Sequence, residues 1–267
     1  MSKKLVDQLG IEHTFETTPK RIVSLVPSQT ELLVDLGLED ALVGITKFCV
    51  HPIYLKSTKT IVGGTKNIKF DKIKALQPDI VICNKEENTK EIVEELSLIC
   101  PVWVTDIYTI EDNNQMIRDF GEIFNKRTDA QKWIDKINFV YHDFQNFIQN
   151  KPIKKAAYFI WANPYMVAGN TTFINELLKL NHFQNIYESK EGRYPEVELK
   201  KIRLEGDPDY VFLSSEPFPF KDEHAFEIGR FTHHAKTVFL DGEMFSWYGS
   251  RLVKAFQYFK DLHNRIA

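Results

Sequence analysis

Cysteine, excess charge and long apolar runs are all in short supply in this chain, and each shortage closes off a class of protein. The three cysteines, Cys49, Cys83 and Cys100, are an odd number at unrelated spacings, so they make neither a disulfide framework nor a zinc knuckle. Free thiols of this kind suit a reducing compartment. Lys and Arg number 34 against 37 Asp and Glu, a net charge of −3, which gives no electrostatic basis for binding nucleic acid or an anionic membrane. No run approaches the roughly 18 apolar residues of a membrane span. The first ten residues, MSKKLVDQLG, carry two lysines but neither an apolar h-region nor a small-residue cleavage site. That start predicts a cytoplasmic protein, or one whose leader has been removed.

Catalytic signatures are missing as well. There is no Gly-x-Gly-x-x-Gly, P-loop, nucleophile elbow or His-Glu-x-x-His. Ser28 sits where a strand meets a helix but lacks the flanking glycines of an elbow. The chain reads as a non-enzyme that requires no cofactor.

What is present is an alternation of short apolar runs with helical patterns. Arg21–Val26 reads as a strand, and a helix starts at once after Pro27, with Ser28 and Glu31 at the spacing of a capping box. A strand feeding a helix N-terminus leaves N–H donors at the carboxyl end of the strand, where open α/β sheets bind ligands. Ser28 and Gln29 are therefore candidate ligand contacts. Further strands are predicted at Ala41–Ile45, Asp79–Cys83 and Val102–Thr105, with helices at Glu31–Leu38, Asp71–Leu76 and Thr89–Ile99. Strands separated by helices imply parallel βαβ units.

The longest periodic segment follows. Trp133, Ile137, Val140, Tyr141, Phe144 and Ile148 recur at three- and four-residue steps, the spacing of one buried helical face. Thr128 and Gln131 offer a second capping box, and about 20 residues of helix would run roughly 30 Å. After Pro152 the alternation resumes: strands at Lys155–Trp161, Tyr210–Ser214 and Thr237–Leu240, helices at Thr172–Leu180, Glu198–Ile202 and Arg251–His263. Gln77-Pro78-Asp79-Ile80-Val81 is echoed by Asp207-Pro208-Asp209-Tyr210-Val211. The length suits two domains of about 100–150 residues. The organisation predicted is an α/β lobe over 1–127, a connecting helix over 128–150 that spans from one domain to the other, and a second α/β lobe over 151–267.

These residues, in this order, resemble a known family. Arg21-Ile22-Val23-Ser24-Leu25 with Pro27-Ser28-Gln29-Thr30-Glu31, Gly63-Gly64-Thr65, and Ile73-Lys74-Ala75-Leu76-Gln77-Pro78-Asp79-Ile80-Val81-Ile82 carry the likeness in the first half. Asn163-Pro164, Ala168-Gly169, Phe173-Ile174-Asn175, Asp241-Gly242 and Ser246-Trp247-Tyr248-Gly249-Ser250-Arg251 carry it in the second. The chain is similar to the helical-backbone metal-chelate receptors, solute-binding proteins of ABC importers for cobalamin, ferric siderophores and haem, and most of all to the cobalamin branch. The resemblance implies two Rossmann-like α/β lobes joined by one long helix, with the ligand clamped in the cleft between them. It also implies a periplasmic or cell-envelope location, a permease partner and action as a monomer. A cytoplasmic carrier, sensor or enzyme of chelate metabolism reusing the fold is the alternative.

A large flat chelate needs apolar walls and a few polar anchors. Aromatic rings at predicted loop positions supply the walls: Phe48, Trp161, Tyr165, Phe218, Phe220, Trp247 and Tyr248. Thr65 and Lys66 follow two glycines that let the backbone approach a ligand closely, and Lys47 and Arg251 offer charge to anionic groups. Arg251 is the stronger candidate, because beside Trp247 and Tyr248 a guanidinium can both stack and pair. Cys49-x-His51 is a short pair in which either residue could ligate haem iron or corrinoid cobalt axially, and His51 is the candidate metal ligand. His233 and His234, as neighbours on extended chain, are not expected to share a metal. The family presents an acidic residue on each lobe to permease arginines; here Glu86 and Glu87 are the candidates on one lobe, and Glu216, with Glu223, on the other.

Overall fold

The computed structural model describes residues 2–266. The chain forms two compact units. The first runs up to Asn138 and takes in Tyr248–Arg251; the second comprises Phe139–Trp247 and the segment from Leu252 onward.

The first unit opens with an antiparallel hairpin, β1 (Lys3–Val6) and β2 (Glu12–Phe15). Then β3 (Ile22–Ser24), α1 (Pro27–Asp35), β4 (Leu42–Ile45), α2 (Leu55–Thr58), β5 (Thr60–Ile61) and α3 (Phe70–Ala75) follow. After them come β6 (Ile80–Asn84), α4 (Lys90–Ser97), β7 (Val102–Thr105), α5 (Ile110–Ile123) and α6 (Arg127–Ile148), the last ending in the second unit. The sheet has the order β5-β4-β3-β6-β7 and is parallel throughout. Parallel strands covered by helices on their faces read as unbroken apolar runs. Val23, Leu25, Val81, Cys83 and Val104 pack accordingly with Ile73, Ile92 and Leu96 from the helices.

In the second unit β8 (Lys154–Trp161), β9 (Met166–Val167), α7 (Phe173–Leu180) and β10 (Phe183–Asn185) precede α8 (Ile202–Glu205) and β11 (Tyr210–Ser214). Next are α9 (Asp222–Gly229), β12 (Lys236–Leu240), α10 (Gly242–Ser246) and α11 (Leu252–Ile266). The parallel order is β10-β8-β11-β12, with β9 antiparallel on β8. Phe144 near the end of α6 meets Phe256 and Phe259 of α11 at ring separations of 5.5 and 5.8 Å. The two-lobed α/β class and the long helix expected from the sequence are both present, and Ile137, Phe144 and Ile148 lie on the buried face of α6.

Two local expectations fail. Neither capping box forms. Helix α1 starts at Pro27, with Val26 as a cap that contributes no side-chain bond, so Ser28 lies inside the first turn and Glu31 is engaged elsewhere. Helix α6 starts at Arg127, placing Thr128 within it, and Gln131 donates forward to Asp135 at 2.8 Å. A 14-residue helix for which the sequence reading offers no element, α5, does carry a capping box, between Thr109 and Asp112.

Candidate functional site

Because β3–β7 of the first unit run parallel to one another, as do β8 and β10–β12 of the second, their carboxyl ends line one edge of each sheet, and polar or exposed residues gather there. In the first unit Gln29, in the first turn of α1, donates to Thr105 Oγ1 at 2.5 Å and to the Tyr248 hydroxyl at 3.0 Å. Asn84, the last residue of β6, donates from Nδ2 to both the carbonyl and the hydroxyl oxygen of Thr105 at 3.1 Å. Asn88 accepts from the Asn84 amide and donates to the Thr65 carbonyl, each at 2.9 Å. A continuous polar network thus runs along the edge from the Thr65 loop to Tyr248. Within it Gln29 Oε1 is buried without a hydrogen-bond partner, while the bonds that do form hold the other groups in one arrangement.

Above this network the loops carry exposed groups. Phe48 is 46% exposed, with the Lys47 ammonium 4.9 Å from its ring centroid. The Lys47 amide donates to Gly63 O at 2.8 Å, and Gly64 N to Asn67 O at 2.7 Å, which closes a tight turn over Gly63–Ile68. Gly63 has φ +129, and a Cβ there would fall 2.5 Å from Asn67 O, so only glycine fits. Lys66 stands exposed on the turn and Thr65 is half-buried. His51 is half-buried as well.

Cys49 departs from its sequence assignment. It is fully buried among Ile45 and Leu55, its sulfur 3.1 Å from Thr30 Oγ1 and 3.3 Å from Thr46 Oγ1. Burial pushes its thiol pKa up, so it is not placed to ligate a metal. Among the described residues no three metal-ligating groups that include His51 come close enough to share an ion.

Arg251 and Tyr248 lie inside the first unit. The Arg251 guanidinium grips Glu31 with two bonds, Nε to Oε2 at 2.7 Å and a terminal nitrogen to Oε1 at 3.0 Å. Only 3% of Arg251 and 5% of Glu31 is exposed. Tyr248 is buried; desolvation raises its hydroxyl pKa, and the charges of Glu87 and Glu86 add to the rise. Both glutamates, half-buried, therefore sit near this same edge. Ser28 is buried in α1.

In the second unit the corresponding edge is aromatic. Trp161 ends strand β8, buried over residues 156–160, yet is exposed, and Phe218 packs against its ring at 5.5 Å. Phe218 packs in turn on Phe220 and His224 at 4.9 and 5.1 Å. Tyr165 is half-buried and donates to Glu227 at 2.7 Å; burial and then that carboxylate raise its pKa. Trp247 is buried, and its indole N–H donates to Glu216 Oε1 at 2.8 Å, where the Ser246 hydroxyl also donates at 3.0 Å. Burial raises the Glu216 carboxyl pKa against those two donors.

With this arrangement in view, comparison with known proteins identifies the family. A family profile described as periplasmic binding protein matches residues 22–233, most of the chain.

The chain belongs to the periplasmic binding protein family.

This periplasmic binding protein is 25% identical over 255 residues to an uncharacterized ABC transporter substrate-binding lipoprotein, YvrC, of Bacillus subtilis, covering 90% of this chain and 79% of that one. It is 22% identical over 250 residues to a vitamin B12-binding protein of Photorhabdus laumondii, covering 92% and 88%. Among solved structures, the vitamin B12-binding protein BtuF of Vibrio cholerae superposes with a TM-score of 0.78 at 19% identity, over 93% of this chain and 99% of that one. A heme-binding protein of Roseiflexus gives 0.80 at 15% identity, over 91% and 97%. These two likenesses confirm the fold.

Asn84, Asn88 and Thr105 were not singled out from the sequence. Their signal was a polar residue directly ending an apolar strand, visible in Cys83-Asn84 and Val104-Thr105.

Proposed function

We propose that this protein binds a metal chelate, a corrinoid in the first place and haem or a ferric siderophore otherwise, and passes it unaltered to an ABC importer. The observation that carries the reading is Trp161: a tryptophan at the carboxyl end of β8, packed against Phe218 at 5.5 Å and still 39% exposed. A partly exposed aromatic ring at a strand's carboxyl end offers a flat apolar ligand a surface on which to pack. The first unit by itself carries an exposed ring, Phe48 with Lys47, and polar and cationic groups, Thr65 with Lys66, of the kind that pair with anionic groups. His51 is the proposed axial ligand where the bound metal offers an open position.

Relatives named for vitamin B12 binding support the corrinoid, and the lipoprotein named for an ABC transporter supports a cell-envelope location and a permease partner. Glu86 and Glu87 are the proposed permease contacts on the first unit. Glu216 already holds Trp247, so Glu223, exposed on α9, takes that role on the second.

Calorimetric titration with cyanocobalamin, with haem in parallel, tests the reading. Trp161→Ala is expected to weaken binding about 10- to 100-fold, the cost of a central aromatic anchor. If haem is the ligand, His51→Ala abolishes its Soret shift. Absence of binding to the corrin, to haem and to a ferric catecholate would overturn the assignment.

A further inference from the structure

At the opposite, amino edge of the second unit's sheet lies a cluster that the chelate reading does not use. The loop Asp207-Pro208-Asp209 precedes β11, and the segment Phe231–Ala235 precedes β12. Because these strands are parallel neighbours, the two loops come together. Among the described residues they form a set of three metal-ligating groups: Asp207, His233 and His234, each with one ligand atom within 4.8 Å of the others. The chain bends at His233 and His234 instead of running extended, so the condition that would keep them from facing one ion is not met. Their rings stand 82° apart at 5.8 Å.

From this geometry we infer a binding site for a divalent transition-metal ion, held by two imidazoles and one carboxylate. Two nitrogens and an oxygen suit zinc, nickel, copper or cobalt rather than magnesium or calcium, which take oxygen ligands. Three features support it. Asp207 Oδ1 is shielded from solvent without a hydrogen-bond partner, which is the state of a carboxylate oxygen lacking its counter-charge. His234 lies between two carboxylates, Nδ1 3.6 Å from Asp207 Oδ2 and Nε2 3.4 Å from Asp209 Oδ1, so with Nδ1 on the metal beside Asp207 the other nitrogen has Asp209 as an orienting acceptor, as metal-bound histidines usually do.

The frame around the cluster is also rigid. Arg203 donates to the carbonyls of Phe231 and Thr232 at 3.1 and 2.9 Å, and the Asp209 backbone bonds to Lys155 and Lys236 at 2.9 Å each. Ligands on braced loops need only close by about an ångström to reach coordination distances. His233 and His234 are exposed, so the ion would be reached directly from solvent and would keep an open position. The site lies at the other end of its strands from Trp161, and metal and chelate binding are therefore separable.

The test is titration of the metal-free full chain with Zn²⁺ against a chromophoric competitor, with Co²⁺ as a spectroscopic reporter of coordination. One Zn²⁺ per chain is expected. His234→Gln and His233→Gln should each weaken it about 100-fold or more, since even indirect partners of metal ligands are worth 10- to 100-fold; His142→Gln should leave it unchanged. On the unsubstituted protein, Zn²⁺ should protect His233 and His234, but not His142, from acylation mapped by mass spectrometry. No stoichiometric Zn²⁺ binding, or binding that survives the double substitution of His233 and His234, would overturn the site. Binding of cyanocobalamin or haem by these variants should be unchanged whether or not the chelate assignment holds.

Discussion

At the residue scale, identical side chains separated according to partners that lie far off in sequence. Trp161 and Trp247 both looked like ligand walls, yet one is exposed and the other is bonded to Glu216, 31 positions away. Arg251 is the sharpest case. Its neighbours suggested a ligand anchor, but Glu31, 220 residues distant, takes both faces of its fork. Removing one partner of a buried pair strands the other charge, at a cost of about 3–5 kcal/mol. Arg251→Met should lower the unfolding free energy by that order, and Arg251→Lys should recover little, because an ammonium cannot make the bidentate contact. The pair Glu31→Gln with Arg251→Met should be milder than Arg251→Met alone; chemical denaturation of the three variants decides it. His263 gives a pH prediction. It is buried, stacked on Phe183 at 5.1 Å and bonded to Asn181, and burial, with the nearby Lys151 and His182 charges, pushes its pKa down to about 4 from 6.5. The unfolded chain takes up this proton first as pH falls, so the stability tied to neutral His263 is complete above about pH 6.5 and drains away toward pH 4. By pH 4 the loss is about 3 kcal/mol. His263→Gln should be less stable at pH 7 but flatter between pH 7 and 4, as thermal melts across that range would show; an unchanged slope would acquit His263.

Elements were more legible than their ends. The apolar runs at Tyr210–Ser214 and Val102–Thr105 appear as strands with the limits expected, because a strand buried on both faces needs no partner knowledge to be recognised. Helix α5 was invisible for a physical reason: Asn113 and Asn114 occupy its buried face, where Asn113 Oδ1 accepts from Gly249 N at 2.6 Å and Asn114 donates to Asn138 at 3.1 Å. Polar residues satisfied inside a fold erase the periodicity that marks a helix. The Pro-Asp echo proved to be a shared joint. Asp79 N donates to Arg21 O at 2.8 Å while its carboxylate accepts from Arg21 N at 3.0 Å; Asp209 N donates to Lys155 O at 2.9 Å while its carboxylate accepts from Lys155 N at 2.8 Å. In both, the residue two before the aspartate, Gln77 or Asp207, has φ +46. Each aspartate therefore staples the start of its own strand to that of the neighbouring strand, β3 or β8. A hydrogen bond to a charged group is worth about 1.5–3 kcal/mol, less at these solvent-accessible sites. Asp79→Ala and Asp209→Ala should each cost about 1–2 kcal/mol in equilibrium unfolding, and Asn in either place should recover part of it.

At the scale of the whole molecule, the chain's path makes a demand that no single segment reveals. The first unit is not complete at Asn138; it also needs Tyr248–Arg251, which arrives more than 100 residues later between two helices of the second unit. That short return supplies the Tyr248 hydroxyl to Gln29, the Gly249 amide to Asn113, the Ser250 hydroxyl to Asp35 and the guanidinium to Glu31. A fragment ending at Asn138 loses all four. It would retain its sheet and its apolar core, but the buried Glu31 carboxylate would lose the Arg251 guanidinium and the Asn113 acceptor would lose its donor. A domain of this size holds only about 5–15 kcal/mol of net stability, and loss of the Arg251 guanidinium from buried Glu31 alone takes about 3–5 kcal/mol of it. Residues 2–138 expressed alone should therefore show helical circular dichroism without a sharp thermal transition, the behaviour of a loosely packed state. Co-expression with residues 139–267, which carry the missing segment, should restore a cooperative melt. Glu31→Leu in the isolated fragment should restore part of it by removing the stranded charge. A fragment that melts sharply without either remedy would show that the return segment is dispensable, and with it the Glu31–Arg251 pair.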